Sequence, residues 1–218
     1  MVSTYFVDVF KNTPPFFKAT YIIGHIKASG RSNSRSIYSR TLRYPICGRS
    51  VFKVVCRLLK SCLPSLAPVI QFPRRFFRSL LPLNEREWSD EDYPLPFLRD
   101  ISCTPDLVIN VNANQGYALT KAVHAQFTPL VKFLLDKGAS PKCNNGIAVK
   151  VAIRSKNFDI FKMLVEWPRP CGGEIEHGDK GISDSSMMGV AISSRATDIV
   201  QFYRKKGIVP DIVALRKY

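Results

Sequence analysis

The feature that most constrains the fold of this chain is a block that recurs within it. ALTKAV, from Ala118 to Val123, is followed by Leu130, Val131, Leu134, Leu135 and then Gly138-Ala139. Thirty residues on, AVKVAI from Ala148 to Ile153 is followed by Ile160, Phe161, Leu164 and Val165. A third copy, MGVAI from Met188 to Ile192, continues with Ile199, Val200, Tyr203 and Gly207-Ile208. The step from Leu119 to Val149 is 30 residues and from Val149 to Met188 is 39, so the excess sits in one insertion. Self-similarity at such a period predicts units that cannot bury their faces alone and must stack.

Each copy has the same grammar. A first short helix carries a small residue, Ala122, Ala152 or Ala191, where a neighbouring helix comes close, and a second helix carries an apolar face at helical spacing. Gly138 and Gly207 fall where a helix end needs the left-handed conformation without a Cβ clash. Copy two has Trp167-Pro168 there, and proline stops the helix by another route. The unit is a helical hairpin, and the fold class expected is all-α.

AVHAQFTPLVKFLLDKGASP, residues 122–141, and more loosely RATDIVQFYRKKGIVP, residues 195–210, resemble the ankyrin repeat, in a stretch of about 110–211. The resemblance implies a short stack of three ankyrin-like repeats, about 112–141, 142–172 and 182–211, in a domain spanning 112–218. Where that family places a Thr-Pro-Leu-His turn, this chain has Tyr117-Ala118-Leu119-Thr120, Ile147-Ala148-Val149-Lys150 and Ser186-Met187-Met188-Gly189. With the repeat also short between Gly138 and Gly146, short hairpin loops are expected in place of full-length β-fingers.

The resemblance also implies a protein-binding module or adaptor, with a concave face made by the loop tips and first helices. By position, Asn114, Gln115, Tyr117, Lys121 and His124 would come from copy one. Asn145, Lys150, Arg154 and Ser155 would come from copy two, and Ser193 and Ser194 from copy three. Lys121, Lys150 and Arg154 have few acids nearby, which predicts a protein partner with an acidic surface.

Charge is distributed unevenly. Residues 1–84 hold 14 Lys and Arg against Asp8 alone, a net +13, while 85–218 carry +2 of the total +15. Between Lys27 and Arg49 the sequence is rich in Ser and Arg, free of acids and without an apolar period, so residues 1–84 are expected to be a basic, largely disordered region. One exception is an amphipathic helix at 51–63, with Val51, Val54, Val55, Leu58, Leu59 and Cys62 opposite Lys53, Arg57 and Lys60. It either packs on the rest of the protein or, with residues up to 81, contacts an anionic membrane, which gives a second reading as a membrane-associated adaptor. FPRRFFRSLL, from Phe72 to Leu81, interleaves Arg74, Arg75 and Arg78 with Phe76 and Phe77, but no nucleic-acid fold surrounds it and nucleic acid is not the expected partner. Acids return abruptly at NEREWSDEDYPLP, placing a boundary near residue 84. Residues 85–111 are expected to form a linker and N-terminal capping element with Trp88, Tyr93 and Phe97.

The remaining classes are narrowed by what the chain lacks. His25, His124 and His177 have no visible catalytic partner, and there is no phosphate-cradling glycine loop, so neither an enzyme nor a cofactor is expected. Six cysteines lie scattered without CxxC pairs. The insertion from Trp167 to Ser186 reads as a mobile loop; its Cys171, Glu174, Glu176, His177 and Asp179 match no closed metal site, so no metal is expected. Asp8 and Lys11 interrupt any secretory apolar core, and no charge-free stretch is long enough to span a bilayer. The expected setting is intracellular, cytoplasmic or nuclear, with a mitochondrial address as the alternative that the Arg- and Ser-rich start leaves open.

Overall fold

The computed structural model describes residues 12–29, 34–62, 69–83, 87–105, 107–167 and 185–210.

 The described part of the chain is mostly helical and divides into two units that interleave in sequence. The front unit takes the chain up to Phe76 together with Tyr93–Asn110, and the repeat unit takes Phe77–Asp92 together with the chain from Val111 onward.

In the front unit, helix α1 (Pro15–Ala28) starts at a proline whose fixed φ suits a first helical turn. Its Ala19, Ile22, Ile23 and Ile26 recur at helical spacing and are buried. They pack against α3 (Arg49–Cys62), which buries Val51, Phe52, Val55, Cys56 and Leu59 and leaves Lys53, Arg57 and Lys60 exposed. Between them α2 (Ser34–Thr41) and the turn after it contribute Ile37, Tyr38, Leu42 and Cys47 to the core. Strand β1 (Val69–Gln71) pairs in parallel with β2 (Val108–Asn110), Ile70 opposite Ile109, and packs on α2. The short helix α4 (Arg75–Arg78) follows β1, its first two residues belonging to this unit, and α5 (Leu95–Ser102) buries Leu95, Phe97, Leu98 and Ile101. Asp100 on α5 forms an ion pair with Arg49 on α3.

Arg75 holds this unit's irregular part together. Its guanidinium donates to the carbonyls of Leu42 at 2.7 Å and Tyr44 at 2.8 Å, and lies 4.7 Å from the Phe76 ring centre. Burial pushes its pKa below the usual value, and burial raises the Cys47 thiol to about 12 and the Cys56 thiol to about 11.

These helices correct the expectation of a largely disordered front half. The segment between Lys27 and Arg49 looks incapable of forming a core because it is short of apolar residues when taken alone. Ile37, Tyr38 and Leu42 are nevertheless buried, because α1, α3 and β1, outside that window, supply the apolar surface they lack locally. Tyr93 and Phe97, expected to cap the repeats, instead stand edge-on to Phe76 at 6.2 and 5.4 Å between ring centres.

The repeat unit holds three helical hairpins: α6 (Ala113–His124) with α7 (Thr128–Asp136), α8 (Cys143–Arg154) with α9 (Phe158–Glu166), and α10 (Ser185–Ser193) with α11 (Thr197–Lys205). The first helices pack in the order α6, α8, α10 and the second helices in the order α7, α9, α11, forming two layers. Ala122, Ala152 and Ala191, where the first helices approach one another, are fully buried. Leu130, Val131, Leu134 and Leu135 on α7 are buried too, each side chain contributing about 1.5–3 kcal/mol relative to exposure.

The turn inside each hairpin is the same object three times. Phe127 N–H donates to Ala122 O and Gln126 N–H to Val123 O, both at 3.0 Å. Asn157 to Ala152 with Lys156 to Ile153, and Ala196 to Ala191 with Arg195 to Ile192, repeat the pair. This double closure is the Schellman arrangement, and Gln126, Lys156 and Arg195 at its left-handed position have φ of 56, 54 and 53°. Gly138 and Gly207, with φ of 84 and 72°, close the second helices of copies one and three in the same manner.

The third copy is held by rings. Tyr203 is fully buried, 5.5 Å from Phe161, and Phe202 stands 5.4 Å from Phe161 and 6.0 Å from Phe158. Lys206 lies 4.4 Å from the Phe202 ring centre and 3.8 Å from Glu166. At the other end, Trp88 stacks on Phe127 at 4.5 Å and its indole N–H donates to Ala125 O at 2.8 Å. Most of the insertion expected as a loop, including Cys171, Glu174, Glu176, His177 and Asp179, lies outside the described residues.

Candidate partner-binding surface

The surface expected to meet a partner begins where each first helix starts. Asn114, Gln115 and Gly116 have φ of 56, 60 and 73°, and Asn144, Asn145 and Gly146 have φ of 54, 54 and 66°. Three successive left-handed residues form a turn rather than helix, which Asn tolerates and Gly accepts without strain. At Gly116 a Cβ would stand 2.7 Å from the Cys143 Cβ, so the glycine also permits the close approach of α6 and α8. Asn112 ties the turn to the end of its own hairpin: its amide donates to Gly138 O at 3.0 Å and its carbonyl accepts from Ser140 N–H at 2.7 Å. Residues 137–142 make no strand; they are turns.

Asn114, Gln115 and Asn145 are exposed in these left-handed turns. Tyr117, Lys121 and His124 follow at i, i+4 and i+7 on α6, half-buried at the first two positions and exposed at the third. Lys150, half-buried, and Arg154, exposed, share a face of the adjacent α8. His124, Arg154 and Ser193 then sit at the C-terminal ends of α6, α8 and α10. The two ends of this face are separated by about 12 Å of helix.

The polar groups are not equally available. Ser155 Oγ donates to Ala152 O at 3.0 Å and Ser193 Oγ to Val190 O at 2.9 Å, so both hydroxyls spend their proton on their own helix and retain only acceptor capacity. Arg154 lies at a helix C-terminus, where a positive charge is favoured by the backbone dipole. In copy three, Gly189 and Val190, the counterparts of Lys150 and Val151, are buried. The cationic face is therefore drawn from copies one and two, with Ser193 and Ser194 at its margin.

The 30-residue offset also identifies residues that the sequence reading passed over. Thr120 matches Lys150 and Ile147 matches Tyr117, and both are half-buried on the same faces. Lys156 and Arg195, exposed at the left-handed position of their turns, extend positive charge along the hairpin edge. Exposed charge next to a helix end was the available signal; its left-handed backbone was hidden because Lys and Arg seldom occupy that conformation.

Two surfaces expected from the front half change meaning. The apolar face of α3 is buried against α1, so the lipid-facing stripe expected within 51–81 is occupied by the protein's own core. In the Phe72–Leu81 segment, Phe76 and Phe77 are buried and Arg75 is committed to main-chain carbonyls, which leaves no aromatic platform for stacking bases. Among the described residues no cluster of three His, Cys, Asp or Glu side chains could hold a metal ion, and no helix is long and apolar enough to cross a membrane. Comparison of the chain with family models, curated proteins and solved structures finds no match.

Proposed function

We propose that the repeat unit is an ankyrin-like, non-enzymatic binding module that receives an acidic protein surface on the exposed faces of α6 and α8. The observation that carries this reading is the convergence of Lys121, His124, Lys150 and Arg154 on adjacent first helices whose opposite faces are buried. Cations presented on a rigid scaffold steer an anionic partner and fix its register, while the half-buried Tyr117 and Ile147, about one turn before Lys121 and Lys150, supply apolar contact. The exposed asparagines of the left-handed turns add hydrogen-bonding groups at one end of the same face.

The test is charge reversal. Lys121→Glu with Arg154→Glu is expected to lower quantitative affinity capture of partners by about tenfold or more, with an unchanged far-UV circular dichroism spectrum. Recovery equal to the parent chain, in a variant with the parent spectrum, would remove this face from consideration.

A further inference from the structure

Helix α1 carries two unlike faces. Ala19, Ile22, Ile23 and Ile26 face the core, whereas Phe17, Tyr21, Gly24 and Ala28, spaced i, i+4, i+7 and i+11, line the opposite, exposed side. Phe16, Phe17 and Tyr21 are 53, 62 and 41% exposed, which puts three aromatic side chains in water at one end of a single helix. A monomeric surface seldom concentrates such residues without a use.

The charge around this stripe identifies the surface that fits it. Lys27 is exposed on the same helix. The Tyr44 hydroxyl lies 2.8 Å from His25 Nδ1 on this helix, and Arg43, its neighbour in the chain, is exposed. Asp100 is the one acid among the described residues of the front unit, and Arg49 pairs with it. An aromatic stripe flanked by cations, on a unit with no uncompensated acid among its described residues, matches a surface that is apolar below and anionic above.

We propose that α1 of the front unit docks on an anionic lipid bilayer, with Phe17 and Tyr21 entering the headgroup and acyl boundary while Lys27 and Arg43 meet lipid phosphates. Aromatic side chains settle at this boundary because their rings are apolar and their edges tolerate water. Each cation held near the surface adds electrostatic attraction, and the surface potential of an acidic leaflet extends only about one Debye length. This docking differs from one through α3, whose apolar residues are already buried. It does not depend on the repeat unit binding a protein.

Co-sedimentation of the full chain with phosphatidylcholine vesicles, with and without phosphatidylserine, tests it. The parent chain is expected to pellet with the anionic vesicles and to be released by raised salt. Phe17→Glu with Tyr21→Glu should weaken that binding by about tenfold or more, since both positions are exposed and the fold should persist by circular dichroism. A Phe17→Trp chain, read as the difference from the parent, should show a blue shift in tryptophan emission on adding anionic vesicles. Equal binding to neutral and anionic vesicles, or an unshifted Phe17→Trp emission in pelleted protein, would overturn the proposal. Equal pelleting of the parent and the double glutamate variant would do the same. Preferential binding of a single-stranded polynucleotide, unaffected by the glutamates, would also overturn it by assigning the charge to nucleic acid.

Discussion

In the repeat unit, Ala122, Ala152 and Ala191 hold equivalent places, and the turns after them close with the same pair of hydrogen bonds. In the front unit, the key contact has no counterpart: Arg75 reaches a carbonyl 33 residues back in the chain. One region repeats a local solution and gains by stacking it; the other fixes an irregular path with single, long-range attachments. Damage should therefore be shared among neighbours in the first and concentrated at one residue in the second.

The largest expected effect tests the shared seam. Leu134→Ala removes a fully buried side chain at the packing of α7 on α9, and should cost the repeat unit about 3 kcal/mol. Urea unfolding followed by tryptophan emission, which comes from Trp88 stacked on Phe127 and from Trp167 at the end of α9, should move to lower denaturant; an unmoved midpoint would place Leu134 outside the seam.

Arg75→Ala examines the other kind of region. It leaves the Leu42 carbonyl without the guanidinium and the Tyr44 carbonyl with the Cys47 N–H alone, at a cost of about 2 kcal/mol. Labelling of the buried Cys47 thiol, followed by peptide mass spectrometry, should accelerate. Unchanged protection would mean that the turn stands without the guanidinium.

A smaller effect is expected with alkali. Burial raises the Cys47 thiol from an ordinary 9.0 to about 12, so the folded state holds this proton more tightly than the unfolded one. The associated stability is fully present below pH 9 and declines as pH rises through 9 toward 12. Cys47→Ala should flatten that decline in a denaturation series; an identical slope in both proteins would remove the thiol as its source.

The smallest effect sharpens the comparison. Lys156→Gly replaces a residue strained at φ 54° and should stabilise the repeat unit by about 0.5–1 kcal/mol, measured as a rise in thermal midpoint. A fall would show that the lysine side chain contributes more to the turn than its backbone costs.

How much could be read in advance follows the same division. The helix pairs were legible because Leu119, Val149 and Met188 recur with their apolar companions, and local periodicity is written in adjacent residues. Gly138 and Gly207 likewise marked helix ends, since their lack of a Cβ advertises the left-handed backbone. The front helices were not read as a folded unit, except at 51–63, because Ile37 and Leu42 acquire their burial from elements distant in sequence. Arg75 was legible only as part of a basic and aromatic run, because its acceptors are main-chain carbonyls, which no side-chain pattern announces. On the candidate surface, the outward-facing positions of Lys121, His124, Lys150 and Arg154, the two lysines half-buried, could be counted from the repeat, whereas the hydroxyl donations of Ser155 and Ser193 back to their own helices could not.

The most direct measurement places a photo-crosslinking amino acid at Lys121 or Lys150, on the first-helix face, and at Lys162 or Arg204, exposed on the second helices. With the full chain expressed in cells, Lys121 and Lys150 should yield the same crosslinked protein, and the other two positions should yield little of it. Equal capture from both layers, or capture only from Lys162 and Arg204, would contradict the assignment of the binding face to the first helices.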